Sequence, residues 1–346
     1  MNKIDRILAD EILSRQITLM RFSAGEKKRV FDILLKMQTE LKIKLQNGFT
    51  DVSKARMLKL LNQCTKMIND YYTGIQAELD LDGLAKNEVV ATRKAFAQID
   101  LDISMPSAAI MKALVSDALI DGAPLSAWWE RQAESTAFNF ASQVRQGVAQ
   151  GENITQIVRR ITGDAKHGIT GIMDVAERNA STLVHDAVMQ IANDSRLSVF
   201  QANDDIVKGL RQLSTLDSRT SNICIAYSGA EWDLNGKPIK KNLPFGAGCP
   251  RHPNCRSAIV PMTKSYKELG VNIPDKAPGS RASDLGQIPA DTSFEDFLNR
   301  HDSAYLNNIL GKGRADLYRR KKITLSQLVD GYGRELTLEQ LKELYE

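Results

Sequence analysis

Three of the chain's four cysteines and one of its four histidines crowd into one short stretch, as Cys224, Cys249, His252 and Cys255. Their spacing is C-x24-C-x2-H-x2-C. Three soft thiolates and an imidazole make a ligand set for tetrahedral zinc, and two-residue gaps let one loop present Cys249, His252 and Cys255 to a single ion. Pro250 and Pro253 bias Cys249 and His252 toward extended backbone. Arg251 and Arg256 flank the loop, placed to offset the negative charge of a zinc held by three thiolates. One structural zinc ion, with no open position for a substrate, is the cofactor this pattern implies. A plainer reading also fits, in which Cys224 and Cys255 are small buried apolar residues and His252 is a hydrogen-bonded turn residue. A Cys–His nucleophile would need an orienting partner, for which Asn254 is the nearby choice. A histidine nuclease centre at His252-Pro253-Asn254 lacks a second histidine and an acidic ligand close by.

Upstream of Cys224, the segment Leu216-Asp217-Ser218-Arg219-Thr220-Ser221 is rich in residues that bond their own backbone. It reads first as a tight structural turn, in which Arg219 pairs with Asp217 or with a carboxylate elsewhere, and second as a ligand-binding turn. Basic runs are the other chemical signal. Residues 1–60 hold 13 Lys or Arg against 7 Asp or Glu, and residues 311–322 hold six basic residues against one acid. In the second run Lys312, Arg314, Arg319, Arg320, Lys321 and Lys322 are candidates for contact with DNA phosphates, although a charge run is more often a solvated helix face. Lys312 lacks the glycine and hydroxyl residue of a phosphate loop. Trp128, Trp129, Phe138 and Phe140 share one expected helix and read as core or as a partner-facing groove. Cys64 reads as core. No H-E-x-x-H, G-x-S-x-G or dinucleotide fingerprint occurs, which lowers the weight of the usual enzyme classes.

The elements that must position these residues follow from proline placement and periodicity. The 346 residues allow about two domains. Only Pro106 and Pro124 occur before Pro238, and the other eight prolines lie between 238 and 289. A long proline-poor region can be continuous helix, whereas the crowded one cannot. Val30, Ile33, Leu34, Met37, Leu41 and Leu45 form one helical stripe, and Met57, Leu60, Leu61, Cys64, Met67 and Ile68 form another over 53–79. Pro124 opens a helix to about Gln150, Asn153 and Gln156 form a capping box, and a longer helix runs from about Ile172 to Asn203. Then the period changes. Val207–Leu216 reads as a strand, Asn235-Gly236 as a two-residue type I′ hairpin turn, Pro238 as the start of an edge strand, and 257–262 as one more strand. The expected fold class is mainly α with a small, hairpin-containing α+β module. In order, this gives a helical N-terminal body (1–170), a β-rich irregular module (171–262), a linker (263–292) and a basic helical C-terminal tail (293–346).

With 42% hydrophobic and 25% charged residues and a net charge of +4, the composition is that of a soluble, core-forming chain rather than one coating nucleic acid with its whole surface. Four cysteines are too few for a disulfide scaffold, the first residues are charged where a signal peptide needs an apolar block, and no apolar run spans a bilayer. A reducing cytoplasm and no membrane partner are therefore expected.

The succession LSTLDSRTSNIC (213–224), a glycine-bearing hairpin near Trp232, and CPRHPNCRSAIVPM (249–262) closely resembles the phage Mu protein F-like family of minor head, or head morphogenesis, proteins. Asp217, Arg219, Thr220, Cys224, His252, Asn254, Cys255, Arg256, Ser257, Val260 and Pro261 carry the likeness, which is specific over 175–262 and looser on both sides. Two positions depart from the family's pattern. Ser228-Gly229 stands for an Asp-Gly, and Ser221 stands where some members carry a first cysteine, so that Cys249 becomes the replacement thiolate if those members use theirs for metal. The resemblance implies a low-copy virion component inside the phage head, present in the host cytoplasm during assembly. Its implied partners are the portal protein and the major capsid or scaffold proteins, and in some systems double-stranded DNA. A non-enzymatic minor head protein is the expected function. The alternative is a metal-dependent enzyme or effector, a nuclease or nucleotide-modifying one, using the Cys/His cluster with Arg219 and Arg256, because such modules also resemble parts of larger phage-borne toxins.

Overall fold

The computed structural model describes residues 2–48, 54–270, 280–289 and 291–346. The chain is mostly helical with small antiparallel sheets. Helices α1 (Lys3–Gly48), α2 (Lys54–Ala77), α3 (Leu81–Ala97) and α4 (Ala108–Ser116) precede a two-stranded ribbon, β1 (Leu119–Ile120) and β2 (Ala123–Pro124). Helices α5 (Leu125–Ala149), α6 (Ile154–Thr162) and α7 (Ile172–Gln201) follow. Contacts divide the chain into two units that do not follow its order. One comprises Met1–Leu19, Asp82–Val115 and Met189–Glu346, and the other Met20–Leu81 and Ser116–Val188.

The second unit is built from the apolar stripes read in the sequence. Val30, Leu34, Met37, Leu41 and Leu45 on α1, and Leu60, Leu61, Cys64 and Ile68 on α2, are all buried. Helix α2 packs along α5. There the Tyr72 and Trp129 rings lie 6.3 Å apart and the Tyr72 hydroxyl shares a 3.0 Å hydrogen bond with Thr136. Trp129 and Phe140 are core, Trp128 Nε1 donates to the Ile120 carbonyl at 2.6 Å, and Phe138 is 73% exposed. Pro124 caps α5, and the Asn153–Gln156 box caps α6 in both directions. Gly147 permits α5 and α6 to approach, since a Cβ there would stand 2.6 Å from Ile157 Cγ1.

The first unit holds the four-stranded sheet, in the order β5 (Pro238–Lys240), β4 (Glu231–Trp232), β3 (Val207–Leu213), β6 (Ala258–Thr263), all antiparallel. Both strand prolines, Pro238 and Pro261, fall on the two edge strands, where a missing N–H breaks no inner ladder. The expected hairpin forms, but not with a type I′ turn. Gly236 N donates to Asp233 O and Asp233 N to Lys237 O, each at 3.0 Å, and among these residues only Gly236 has positive φ, at 80°. That is a three-residue loop closed by a left-handed glycine. The Asp233 carboxylate fixes it by accepting from the backbone of Asn235 and Lys237. Strand β3 ends at Leu213 rather than at 216, because the chain leaves the ladder into the Asp217 turn.

Helix α7 is tied to β6 by buried polar groups. Arg196 is 1% exposed and pairs with Glu88 at 3.2 Å, Glu88 pairs with Arg15 at 2.9 Å, and Asn193 accepts from Arg196 at 3.0 Å and from the Ile259 backbone at 3.3 Å. Asp5 accepts from the Thr263 backbone and hydroxyl.

Helix α8 (Asn222–Tyr227) leads into β4. Within the stretch read as a linker, β7 (Ser280–Ser283) and β8 (Gly286–Pro289) pair as a hairpin, while 271–279 and 290 lie outside the described residues. Arg281 of that hairpin is buried and donates to the carbonyls of Ser214 and Thr292. The C-terminal segment contains α9 (Phe294–Leu298), α10 (Ser303–Leu310), α11 (Lys312–Arg319) and α12 (Leu338–Tyr345). Its Phe294, Phe297, Leu310, Leu317, Leu328 and Leu341 enter the same core as Trp232, Ile259 and Val260. It is therefore a structural part of this unit.

Candidate metal centre

Two segments meet to make the site. The first is the turn Leu216–Ser221 running into α8, which carries Cys224. The Ser221 side chain caps α8 by accepting from Cys224 N at 3.2 Å. The second is the loop 249–257 that leads into β6. It contains a cis Cys249–Pro250 bond and turns at Asn254, whose φ of 60° asparagine tolerates better than most residues.

The Asp217 carboxylate joins the two segments. It accepts from both terminal nitrogens of Arg256 at 2.6 and 2.8 Å, from the Arg219 backbone at 3.0 Å and from the Thr220 hydroxyl at 3.2 Å. Burial alone would push this carboxyl up, but Arg256 and the turn's donors hold it below the ordinary value, and the same pair raises the guanidinium. Thr220 also donates to Thr215 O at 2.6 Å, and Thr215 donates to Arg256 O at 3.3 Å. The Arg219 side chain, 79% exposed and 3.8 Å from Asp217, adds little to this clasp.

Cys224, His252 and Cys255 form the group that can hold a metal ion, their donor atoms lying within 4.8 Å of one another. Cys224 Sγ is 3.2 Å from His252 Nε2 and 3.5 Å from Cys255 Sγ. Bond lengths of about 2.3 Å to sulfur and about 2.0 Å to nitrogen would put tetrahedral zinc ligands roughly 3.5–3.8 Å apart, so the three atoms are spaced almost as ligands already. His252 Nδ1 faces the Pro253 carbonyl at 2.8 Å. A proton held there leaves Nε2, the atom facing Cys224, as the lone-pair donor. Cys255 is pushed well below the usual thiol value because the thiols of Cys224 and then Cys249 donate to it. Cys224 is pushed up by Cys255 and by burial.

Cys249, expected as a ligand, lies outside the triad. It is fully buried within the apolar core beside Cys255, and burial pushes its thiol up. Arg251 is not a counter-charge to the site either. It stacks on Tyr227, 3.6 Å from the ring centroid, and bonds Gln212 and the Phe245 carbonyl. Asn254 is exposed at the rim. Sequence reasoning noted Ser221 only as a departure from a pattern, yet its hydroxyl is 2.7 Å from His252 Nε2. The legible signal was a capping serine three residues before a cysteine. The cavity among these side chains measures about 10 Å³.

Three of the six basic residues in 312–322 are engaged within the molecule. Arg314 reaches Glu335 at 3.1 Å and the Leu336 carbonyl at 2.9 Å. Arg320 reaches Glu346 at 2.5 Å and Asp316 at 3.1 Å, and Arg319 contacts Asn307 at 3.3 Å. Lys312, Lys321 and Lys322 are exposed. Cys64 is core, its thiol raised to about 11 by burial. His301 stacks on Tyr305 at 3.7 Å, and both face Asp284.

In this mostly helical chain with a small antiparallel sheet, a turn motif and a Cys/His loop are clasped together. Residues 139–260 match the model of the family described as Phage Mu protein F like protein. The matched span contains Asp217, all three members of the triad and Arg256. No match was found among curated proteins or among solved structures. Among the described residues, no helix is long and apolar enough to cross a membrane.

Proposed function

We propose that the chain is a non-enzymatic minor head protein of a phage. In this reading it acts in head morphogenesis through contacts with the portal and the capsid or scaffold proteins, and one structural zinc ion is held by Cys224, His252 and Cys255. The match of residues 139–260 to the Mu protein F-like family model supports the head assignment. The observation that carries the structural reading of the site is the use of its motif side chains. Asp217, Thr220 and Arg256 bond one another and the backbone, leaving a cavity of about 10 Å³, which admits no more than one water. When bound, the metal would supply a cross-link between α8 and the loop leading to β6. Contact with packaged DNA belongs to the same proposal and rests on Lys312, Lys321 and Lys322. Purified virions and procapsids should both contain the chain at low copy, and its absence from both would overturn the head assignment.

One observation favours a second reading, a metal-dependent enzyme or effector. The triad supplies three protein ligands, the number usual in catalytic zinc sites, which keep a fourth position for water or substrate. A folded Cys255→Ser variant that loses a nuclease or transferase activity present in the parent would establish it.

A further inference from the structure

The proposed metal site has three ligands where tetrahedral zinc takes four, and the residue expected to complete it, Cys249, lies in the core. We infer that the Ser221 hydroxyl is the fourth donor, giving a site of two thiolates, one imidazole and one hydroxyl. This rests on the metal reading above and goes beyond it by fixing the donor set.

Three observations converge on Ser221. Its Oγ lies 2.7 Å from His252 Nε2, the nitrogen that also faces Cys224, and a proton on Nδ1, directed at the Pro253 carbonyl, would leave that nitrogen as the lone-pair donor. Ser221 Oγ also accepts from Cys224 N as the cap of α8, whereas the other hydroxyls lining the cavity are turned chiefly to other partners. Thr220 donates to Thr215 O and Thr215 donates to Arg256 O, while Ser257, which donates to Ser214, also bonds the Cys224 thiol. Charge agrees as well. Zinc with two thiolates, an imidazole and a neutral hydroxyl is uncharged overall, whereas three thiolates would leave one negative charge in a largely buried place. The two arginines that flank the loop offset such a charge only in part, since Arg256 is paired with Asp217 and Arg251 is stacked on Tyr227. The site built here suits the neutral set.

A hydroxyl is a weaker zinc ligand than a thiolate, so the metal is held less firmly than in a closed three-thiolate site. The test uses the full chain loaded with cobalt(II), which reports geometry and thiolate count through its absorption. The parent should show a tetrahedral spectrum with charge transfer from two thiolates. Ser221→Cys should raise that charge-transfer intensity by roughly one half, and the metal should then resist about tenfold more chelator. Ser221→Ala should keep the two-thiolate intensity but release metal at about tenfold lower chelator. Thermal melting of the apo variants confirms that they are folded. A Ser221→Cys spectrum and chelator resistance equal to the parent's would overturn Ser221 as a ligand while leaving the metal reading intact. A parent chain that binds neither zinc nor cobalt would overturn both.

Discussion

Asp217 and Arg256, 39 residues apart in the chain, are joined by two parallel hydrogen bonds of 2.6 and 2.8 Å with both side chains less than one fifth exposed. This pair fastens the turn that leads to Cys224 onto the loop that carries His252 and Cys255, so it sets the geometry of the metal centre without touching the metal position.

Removing one partner should therefore cost more than removing both. Asp217→Asn or Arg256→Ala leaves the other group shielded and unmatched, with an expected loss of about 3 kcal/mol by denaturant unfolding. The double variant should lose less than the sum of the singles, and Arg256→Lys should recover only part, because lysine cannot make the two-pronged contact.

The same pair sets a pH dependence. The Asp217 carboxyl is held below its unfolded value of 3.8, so its contribution is fully present above about pH 4 and fades as pH falls through the lower folded value. The stability difference between the parent and Asp217→Asn should be constant from neutral pH down to that region and shrink below it. A difference that grew on acidification would contradict the pairing.

Asp194 on α7 behaves in the opposite sense. Burial raises it to about 6, only partly offset by the Gln190 amide 2.9 Å from both carboxylate oxygens. Between pH 3.8 and 6 the folded chain binds the proton more tightly, so this group's contribution falls as pH rises and the cost is complete above pH 6. Asp194→Asn should stabilise the protein at pH 7.5 by about 1–3 kcal/mol and have little effect at pH 4, measured by urea unfolding at both values.

Cys249 and Cys255 are expected to separate cleanly. Cys249→Ala should retain stoichiometric zinc and lose roughly 1 kcal/mol or more of stability through a core void. Cys255→Ser should lose the zinc. Metal content by atomic emission checks both, and loss of zinc from the Cys249 variant would return that thiol to the ligand set.

For DNA, replacing Lys312, Lys321 and Lys322 by alanine should lower the slope of log affinity against log salt by about 2 to 3. Replacing Arg320, already paired with Glu346 and Asp316, should change that slope little. No salt-dependent binding of duplex DNA by the parent would remove DNA from the proposed partners.

Much of this protein was legible locally. The stripes ending in Leu45 and Ile68, the capping box at Asn153 and the edge position of Pro238 depend on interactions within a few residues or on one missing N–H, and they appear as read. The Cys/His spacing is equally local, and it offered Cys224, His252 and Cys255, with Cys249, as potential ligands. Tertiary structure decided between residues of the same chemical type. Spacing made Cys249 as good a ligand as Cys255, but the fold leaves it outside the group formed by Cys224, His252 and Cys255 and brings Ser221 to His252. A run of six basic residues read as a solvated face or a DNA contact, and folding brings Glu335 and Glu346 to Arg314 and Arg320. The C-terminal segment looked like a tail because its helices are short, yet its apolar residues complete the core around the sheet. Sequence fixes which groups a segment can offer, whereas burial and long-range charge pairing, which no local pattern encodes, determine which of them remain available.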